Sequence, residues 1–332
     1  MNLFRRCSWE ITLGTLLVLE VLLFGEINPR MLDVNVLLFS TSDFICTGIV
    51  ALPLTMVIVS GGIDISFGAT AGLCAIVLGI MLKTGAPVPV AVIATLTVGA
   101  GCGLLNAGLI IFTGISPLVI TLGSMYLFGG GALLLSGFAG ATGYDGISGF
   151  SDAFTGFASL APFGIPVPLL VFLAMTVVFW LLLHRTRAGR NVFLTGQNAR
   201  AALYSALPVN RLLCVLYALT GLAAAVAAVL LTSYFGSARS DTGSSLLMPA
   251  ITAVVLGGAS IYGGSGSVTG TALATLLVGF LQQGLQMAGV SDQVSGALSG
   301  ALLIVVVVGR SASLHRRHIA EWITRRRSQR QA

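Results

Sequence analysis

Ten apolar intervals, each close to the length of a bilayer, leave this chain very few folds to choose from. They run near 9–25, 36–60, 67–83, 88–112, 117–138, 166–184, 212–235, 246–262, 267–288 and 292–309, and a helix needs roughly 20 mainly apolar residues to cross the hydrocarbon. Charged residues are 8% of 332 positions, apolar ones 56%, and the mean hydropathy is +0.98; a soluble domain carries about 25% charged residues. The expected architecture is an all-α polytopic membrane protein of about ten transmembrane helices, a single transmembrane domain over residues 1–332.

Charge placement orients those helices. Arg5 and Arg6, five arginines from Arg185 to Arg211, and seven from Arg310 to Arg330 make fourteen of the seventeen basic residues. If these lie inside, the positive-inside rule puts both termini in the cytoplasm and requires an even number of spans. Only Arg30, Lys83 and Arg239 fall outside. The N-terminus lacks a small-residue cleavage site after its apolar run, so the first span is expected to be retained. The net charge of +6 is accounted for by cytoplasmic ends and needs no nucleic acid. The basic tail 310–332 is expected to lie against the anionic inner leaflet, with Ile319, Trp322 and Ile323 on an amphipathic turn. The external interval 138–166 carries Asp145 and Asp152 and no Lys or Arg. It reads either as a docking surface or as a solvated connector.

The longest charged, non-spanning interval is 185–211. Within it Asn198 is placed to cap a helix over residues 199–207, and Pro208 to stop it. Ala199, Ala202, Leu203 and Ala206 fall at i, i+3, i+4, i+7 spacing, one face of mostly small side chains on which another protein's surface could sit close.

Polar residues inside the apolar intervals are few. Ser60–Gly68 reads SGGIDISFG: two glycines end one helix, and Asp64 or Ser66 can accept from the free N–H groups of the next. Asp64 is either such a structural cap or part of a path or gate. LGGASIYGGSGSVTG, 256–270, echoes that turn without the acid. Asn106 lies in the fourth interval. Ser116 is expected to cap the fifth and Pro117 to open it at its first turn; this interval carries Thr121. Gly99/Gly103, Gly266/Gly270 and Gly296/Gly300 have GxxxG spacing and read mainly as packing positions. Glu20, Asp43, Gln282 and Gln283 have no partner evident in the sequence. Cys7, Cys46, Cys74, Cys102 and Cys214 show no CxxC spacing and read as small core residues, so no metal is expected.

Catalytic groups are not evident. Gly263–Gly266 fits the GxSG of an intramembrane serine protease, but His184, His315 and His318 all lie at or beyond cytoplasmic ends, leaving no base. There is no GxxxxGK[ST] loop, no cofactor is implied, and any nucleotide energy has to come from another chain.

GGIDIS of 61–66, GRNVFLTGQNARAALYSALPVNR of 189–211 and AVVLGGASIYGGSGSVTG of 253–270 resemble the membrane subunits of bacterial ABC importers for ribose and related sugars, and the likeness runs from about Pro29 to Gly309. It implies a non-catalytic, multi-pass permease of the bacterial inner membrane carrying a small sugar-like solute. It also implies as partners a second similar permease, cytoplasmic ABC ATPase subunits and a periplasmic solute-binding protein. The loop 185–211 would then be the coupling loop, with Gly196, Asn198, Ala201, Ala202, Ser205 and Pro208 in the motif. Gln197 and Ala206 depart from the family form, which usually has glycine at both. Asp64, Asn106 and Thr121 are the candidate path or gate residues. The alternative is an ion-coupled secondary carrier using Glu20, Asp43 and Asp64.

Overall fold

A computed structural model describes residues 8–141, 146–291, 293–298, 300–301 and 304–305. The basic tail 310–332, part of the tenth apolar interval, Arg5, Arg6, Cys7 and Asp145 lie outside the described residues.

The chain is built from helices: α1 (Ser8–Ile27), α2 (Val34–Val59), α3 (Phe67–Lys83), α4 (Val88–Thr113), α5 (Pro117–Phe138), the short α6 (Asp152–Thr155), α7 (Val167–Arg185), α8 (Arg187–Gln197), α9 (Ala199–Tyr204), α10 (Val209–Phe235), α11 (Leu247–Leu256) and α12 (Val268–Met287). Residues 293–298 are also helical. Among the described residues, α2, α4, α5, α7, α10 and α12 are long and apolar enough to cross a membrane.

α2 is the axis of the fold. From Ser40 to Val59 it is buried at every position except Asp43, sheathed by α7, α10, α11 and α12, and the Thr55 and Thr271 hydroxyls meet across the α2–α12 seam at 2.8 Å. The Gly99/Gly103 pair does close a helix seam: a side chain at Gly99 would overlap the Gly221 carbonyl of α10, and one at Gly103 the Tyr217 carbonyl. Helices approach this closely only where both backbones are bare. Gly270 likewise packs on the Gly257 carbonyl, whereas Gly296 and Gly300 face open space within this chain. Cys46, Cys74 and Cys102 are buried.

The interval 246–262 does not form a spanning helix. α11 has ten residues, about 15 Å, half a bilayer. Its C-terminus is ended by a glycine cap: Gly258 has φ +104°, and Ala259 N donates to Val254 O at 3.1 Å. Before it, the chain leaving α10 turns back along α3 as non-helical backbone. Ala238 packs against Gly79, the Ser240 carbonyl against Gly72 and the Gly243 carbonyl against Gly68, a descent of about 16 Å along the α3 axis at 1.5 Å per residue. Irregular backbone survives at membrane depth only against protein or a water-filled cavity. Here α3 backs the segment, and cavities of about 270 and 510 Å³ flank it.

The interval 138–166 is tied down rather than merely solvated. Its β1 (Ile147–Ser148) pairs antiparallel with β2 (Ser237–Ala238), and Ser233 Oγ donates to Phe154 O at 2.6 Å. At the opposite end of the bundle, Trp9 Nε1 donates to Leu256 O at 2.8 Å and Ser267 Oγ to Glu10 Oε1 at 2.9 Å. This second end also carries α8, α9 and both glycine-rich turns.

Candidate coupling site

α8 follows α7 after one residue, Thr186, whose hydroxyl accepts from Gly189 N at 3.1 Å. Polar and apolar residues segregate along α8, burying Val192 and Thr195 and exposing Arg187, Arg190 and Gln197. Asn198 then leaves the helix in extended conformation (φ −160°), and its Oδ1 accepts from Ala201 N at 3.0 Å, so the cap expected from sequence is present. α9 ends at Tyr204, three residues short of Leu207. Ala206 adopts φ +56° and Leu207 N turns back to Ala202 O at 3.1 Å, a left-handed helix termination. Position 206 is one of the two departures from the family form, and glycine is the residue that takes this conformation without strain.

Only Ala202 of the anticipated small face is buried; Ala199, Ala201, Leu203, Tyr204, Ser205 and Ala206 are exposed, Tyr204 to 92%. The surface offered outward is therefore broader than the Ala199/Ala202/Leu203/Ala206 stripe. Arg185, Arg187, Arg190, Arg200 and Arg211 are all exposed around it, and none pairs with a carboxylate among the described residues.

α9 is rooted in glycine backbone. A side chain at Gly196 would overlap the Val59 carbonyl and come within 2.5 Å of Gly264 N, and those two groups are themselves hydrogen-bonded at 2.8 Å. A side chain at Gly263 would lie 2.7 Å from Gly196 O and 3.0 Å from Gly61 Cα. The two glycine-rich turns that echo each other in sequence thus meet at one point, with the root of α9 between them. Gly61, Gly263 and Gly264 belong to this site, and sequence reasoning missed that role. Their signal was the repeated Gly-Gly pair, read as helix termination alone.

Behind the junction, Asp64, Asn106 and Thr121 come together around the turn 60–66. Asp64 Oδ1 accepts from Ser66 N at 2.8 Å and Ser66 Oγ at 2.7 Å; Asn106 Nδ2 donates to Ser66 Oγ at 2.8 Å. Thr121 Oγ1 and the Tyr217 hydroxyl both donate to Ile63 O at 3.3 Å. All five side chains are buried. Asp64 fixes the turn ahead of α3 and does not cap the helix, and Ser116, expected to cap α5, makes no side-chain cap bond. Tyr217 was hidden from sequence reasoning inside an apolar helix. Asn106 Oδ1 has no hydrogen-bond partner among the described residues.

A multi-pass helical bundle with cavities at membrane depth and a small exposed helix rooted at one end is the build of a membrane permease. Residues 36–307 match the family described as "Branched-chain amino acid transport system / permease component", and the chain belongs to this family. It is similar to the autoinducer 2 import system permease protein LsrD of Salmonella typhimurium strain LT2, 72% identical over 100% of both chains. To the protein of the same name in Escherichia coli strain K12 / DH10B it is 73% identical over 97% of each chain. No solved structure matches it. As a permease component it is not an enzyme.

Proposed function

We propose that this chain is a permease subunit of an ATP-binding-cassette importer that carries autoinducer-2 inward across the bacterial inner membrane. The observation that carries the proposal is full-length identity of 72% to a protein named for that import system; the glycine-rooted α9 supplies the mechanics. In this reading the chain crosses the membrane ten times with both termini in the cytoplasm, the unwound segment along α3 and α11 together making one of the crossings. It pairs with a second, similar permease, receives solute from a periplasmic binding protein and is driven by cytoplasmic ATPase subunits that hydrolyse the ATP.

Residues 185–211 are the coupling loop, with Gly196, Asn198, Ala201, Ala202, Ser205 and Pro208 forming and seating the coupling helix. Closure of the ATPases would push α9, and Gly196 would pass that movement to Val59 and Gly264 by backbone contact. Asp64, Asn106 and Thr121 are then the gate, since the turn that holds them begins at Ser60, immediately after Val59. An alternating-access movement of two permeases follows from such a tilt.

Co-purification from the native membrane, followed by uptake in proteoliposomes, tests this. Recovery of an ATPase and a second permease, with ATP-dependent accumulation of autoinducer-2, is the expected result. Uptake by this chain alone, driven by an ion gradient and indifferent to ATP, would instead establish the secondary carrier.

A further inference from the structure

Three pairs of polar side chains that take no part in the coupling junction meet in one cavity of about 510 Å³. α2 contributes Asp43 and Thr47, α12 contributes Gln282 and Gln286, the non-helical segment contributes Thr242, and the 3₁₀ turn Ser244–Leu246 that leads into α11 contributes Ser244. The α2 and α12 pairs are each spaced by four residues, so each lies on a single helix face. Asp43 and Gln282 lacked a partner in sequence; in the fold they line the same space.

Depth follows from helix rise. Asp43 precedes Val59 by sixteen residues and Gln282 follows Val268 by fourteen, about 24 and 21 Å at 1.5 Å per residue. The cavity therefore sits in the half of the bundle remote from α9. A carboxylate in hydrocarbon costs about 2.5–3.5 kcal/mol, and the unwound segment beside it needs protein or water around its backbone. Water in this space would serve both, beside the α3 backbone that already backs the segment and the Tyr234 hydroxyl that Asp43 already accepts.

The lining chemistry selects a class of occupant. Glutamine amides offer a donor and an acceptor each, Thr and Ser hydroxyls offer both, and Asp43 offers carboxylate acceptors, one of which takes the Tyr234 hydroxyl at 2.7 Å. No Lys, Arg or His is among the described lining residues, so nothing there neutralises a phosphate. Phe44, Leu231, Phe235, Leu246, Met248 and Pro249 supply apolar walls, so the cavity is part polar and part apolar. Ligand sites for drug-sized molecules run about 300–1,000 Å³, which leaves room here for a small solute with its waters.

We propose that this cavity is a solute-binding station on the outer half of the path, specific for a small, uncharged, hydroxyl-rich molecule bound through Asp43, Thr242, Ser244 and Gln282. The proposal rests on the importer reading, and the test separates the two. The complete importer is reconstituted in proteoliposomes, and autoinducer-2 uptake is measured against concentration. Gln282→Ala and Asp43→Asn are expected to raise the half-saturating concentration about five- to tenfold, the loss of one net hydrogen bond, whereas Gln283→Ala, one residue off the lining, does not. Unchanged half-saturation in both lining variants overturns the proposal.

A second measurement does not depend on transport. Ser244→Cys in the assembled complex is treated with a water-soluble thiol reagent and read against the unsubstituted chain. Labelling slowed by autoinducer-2 or ribose, and not by ribose 5-phosphate, is expected. Absence of labelling, or equal slowing by the phosphate ester, overturns the proposal. If the unsubstituted importer takes up no autoinducer-2 while labelling is still slowed by ribose, the autoinducer-2 reading fails and the cavity assignment stands.

Discussion

Replacing Gly196 with alanine tests the coupling junction at its tightest contact. The new methyl would overlap the Val59 carbonyl and sit 2.5 Å from Gly264 N. Both neighbours are backbone, so neither can rotate away. Overpacking of this kind costs about 1–3 kcal/mol. Relief by separating the two turns instead breaks the 2.8 Å bond from Gly264 N to Val59 O and leaves the buried Val59 carbonyl unpaired, a cost of about 1–3 kcal/mol. The junction is thus weakened by about 1–3 kcal/mol by either route, enough to displace the root of α9, while α2 is touched only at its last residue, Val59. The expected result is normal membrane insertion, ATP-driven uptake reduced about tenfold, the factor that 1.4 kcal/mol corresponds to, and ATP hydrolysis no longer stimulated by solute. Gly123→Ala is the control, because a side chain there meets nothing within 4 Å. Wild-type uptake and stimulation in Gly196→Ala would refute the claim that force passes through this backbone contact.

Three further outcomes are expected. Ser205→Arg, on the exposed surface of α9, should leave folding unchanged and abolish co-purification of the ATPase; retention of the ATPase would place its contact elsewhere, and Ala202 is the wrong position for this test because it is buried. Ala206→Gly should stabilise the loop by about 0.5–1 kcal/mol, since an L-residue in the left-handed region costs about 1–2 kcal/mol and part of that is returned as glycine's greater unfolded-state freedom; slower amide exchange at Leu207 checks it, and faster exchange contradicts it. Ser66→Ala removes the hydroxyl that bridges Asp64 and Asn106 and should lower stability by about 2–3 kcal/mol, read as a reduced melting temperature in detergent; an unchanged midpoint would mean the cluster is not held as described.

Much of the fold was legible because spanning helices announce themselves locally. The intervals 67–83 and 117–138 coincide with α3 and α5, and the Asn198 cap was readable because capping is a matter of neighbours in the chain. The interval 246–262 misled, since an apolar run looks the same whether it crosses the membrane or covers half of it. What shortens α11 is α3, whose Gly68, Gly72 and Gly79 accept an unwound segment against bare backbone. α9 stopped early because Ala206 takes a conformation that its side chain does not advertise.

The candidate site divides in the same way. Residue types and charge placement alone mark 185–211 as an exposed interval with a capped helix, and mark Asp64, Asn106, Thr121, Asp43 and Gln282 as polar groups that hydrocarbon would not tolerate unaccompanied. Only tertiary structure pairs them: Asp64 with Asn106 through Ser66, Asp43 with Gln282 across a cavity, Gly196 with Gly61, Gly263 and Gly264. Hydropathy and capping are set within a few residues of sequence, whereas these meetings join positions up to 239 residues apart, at a closeness that depends on which helices lie side by side.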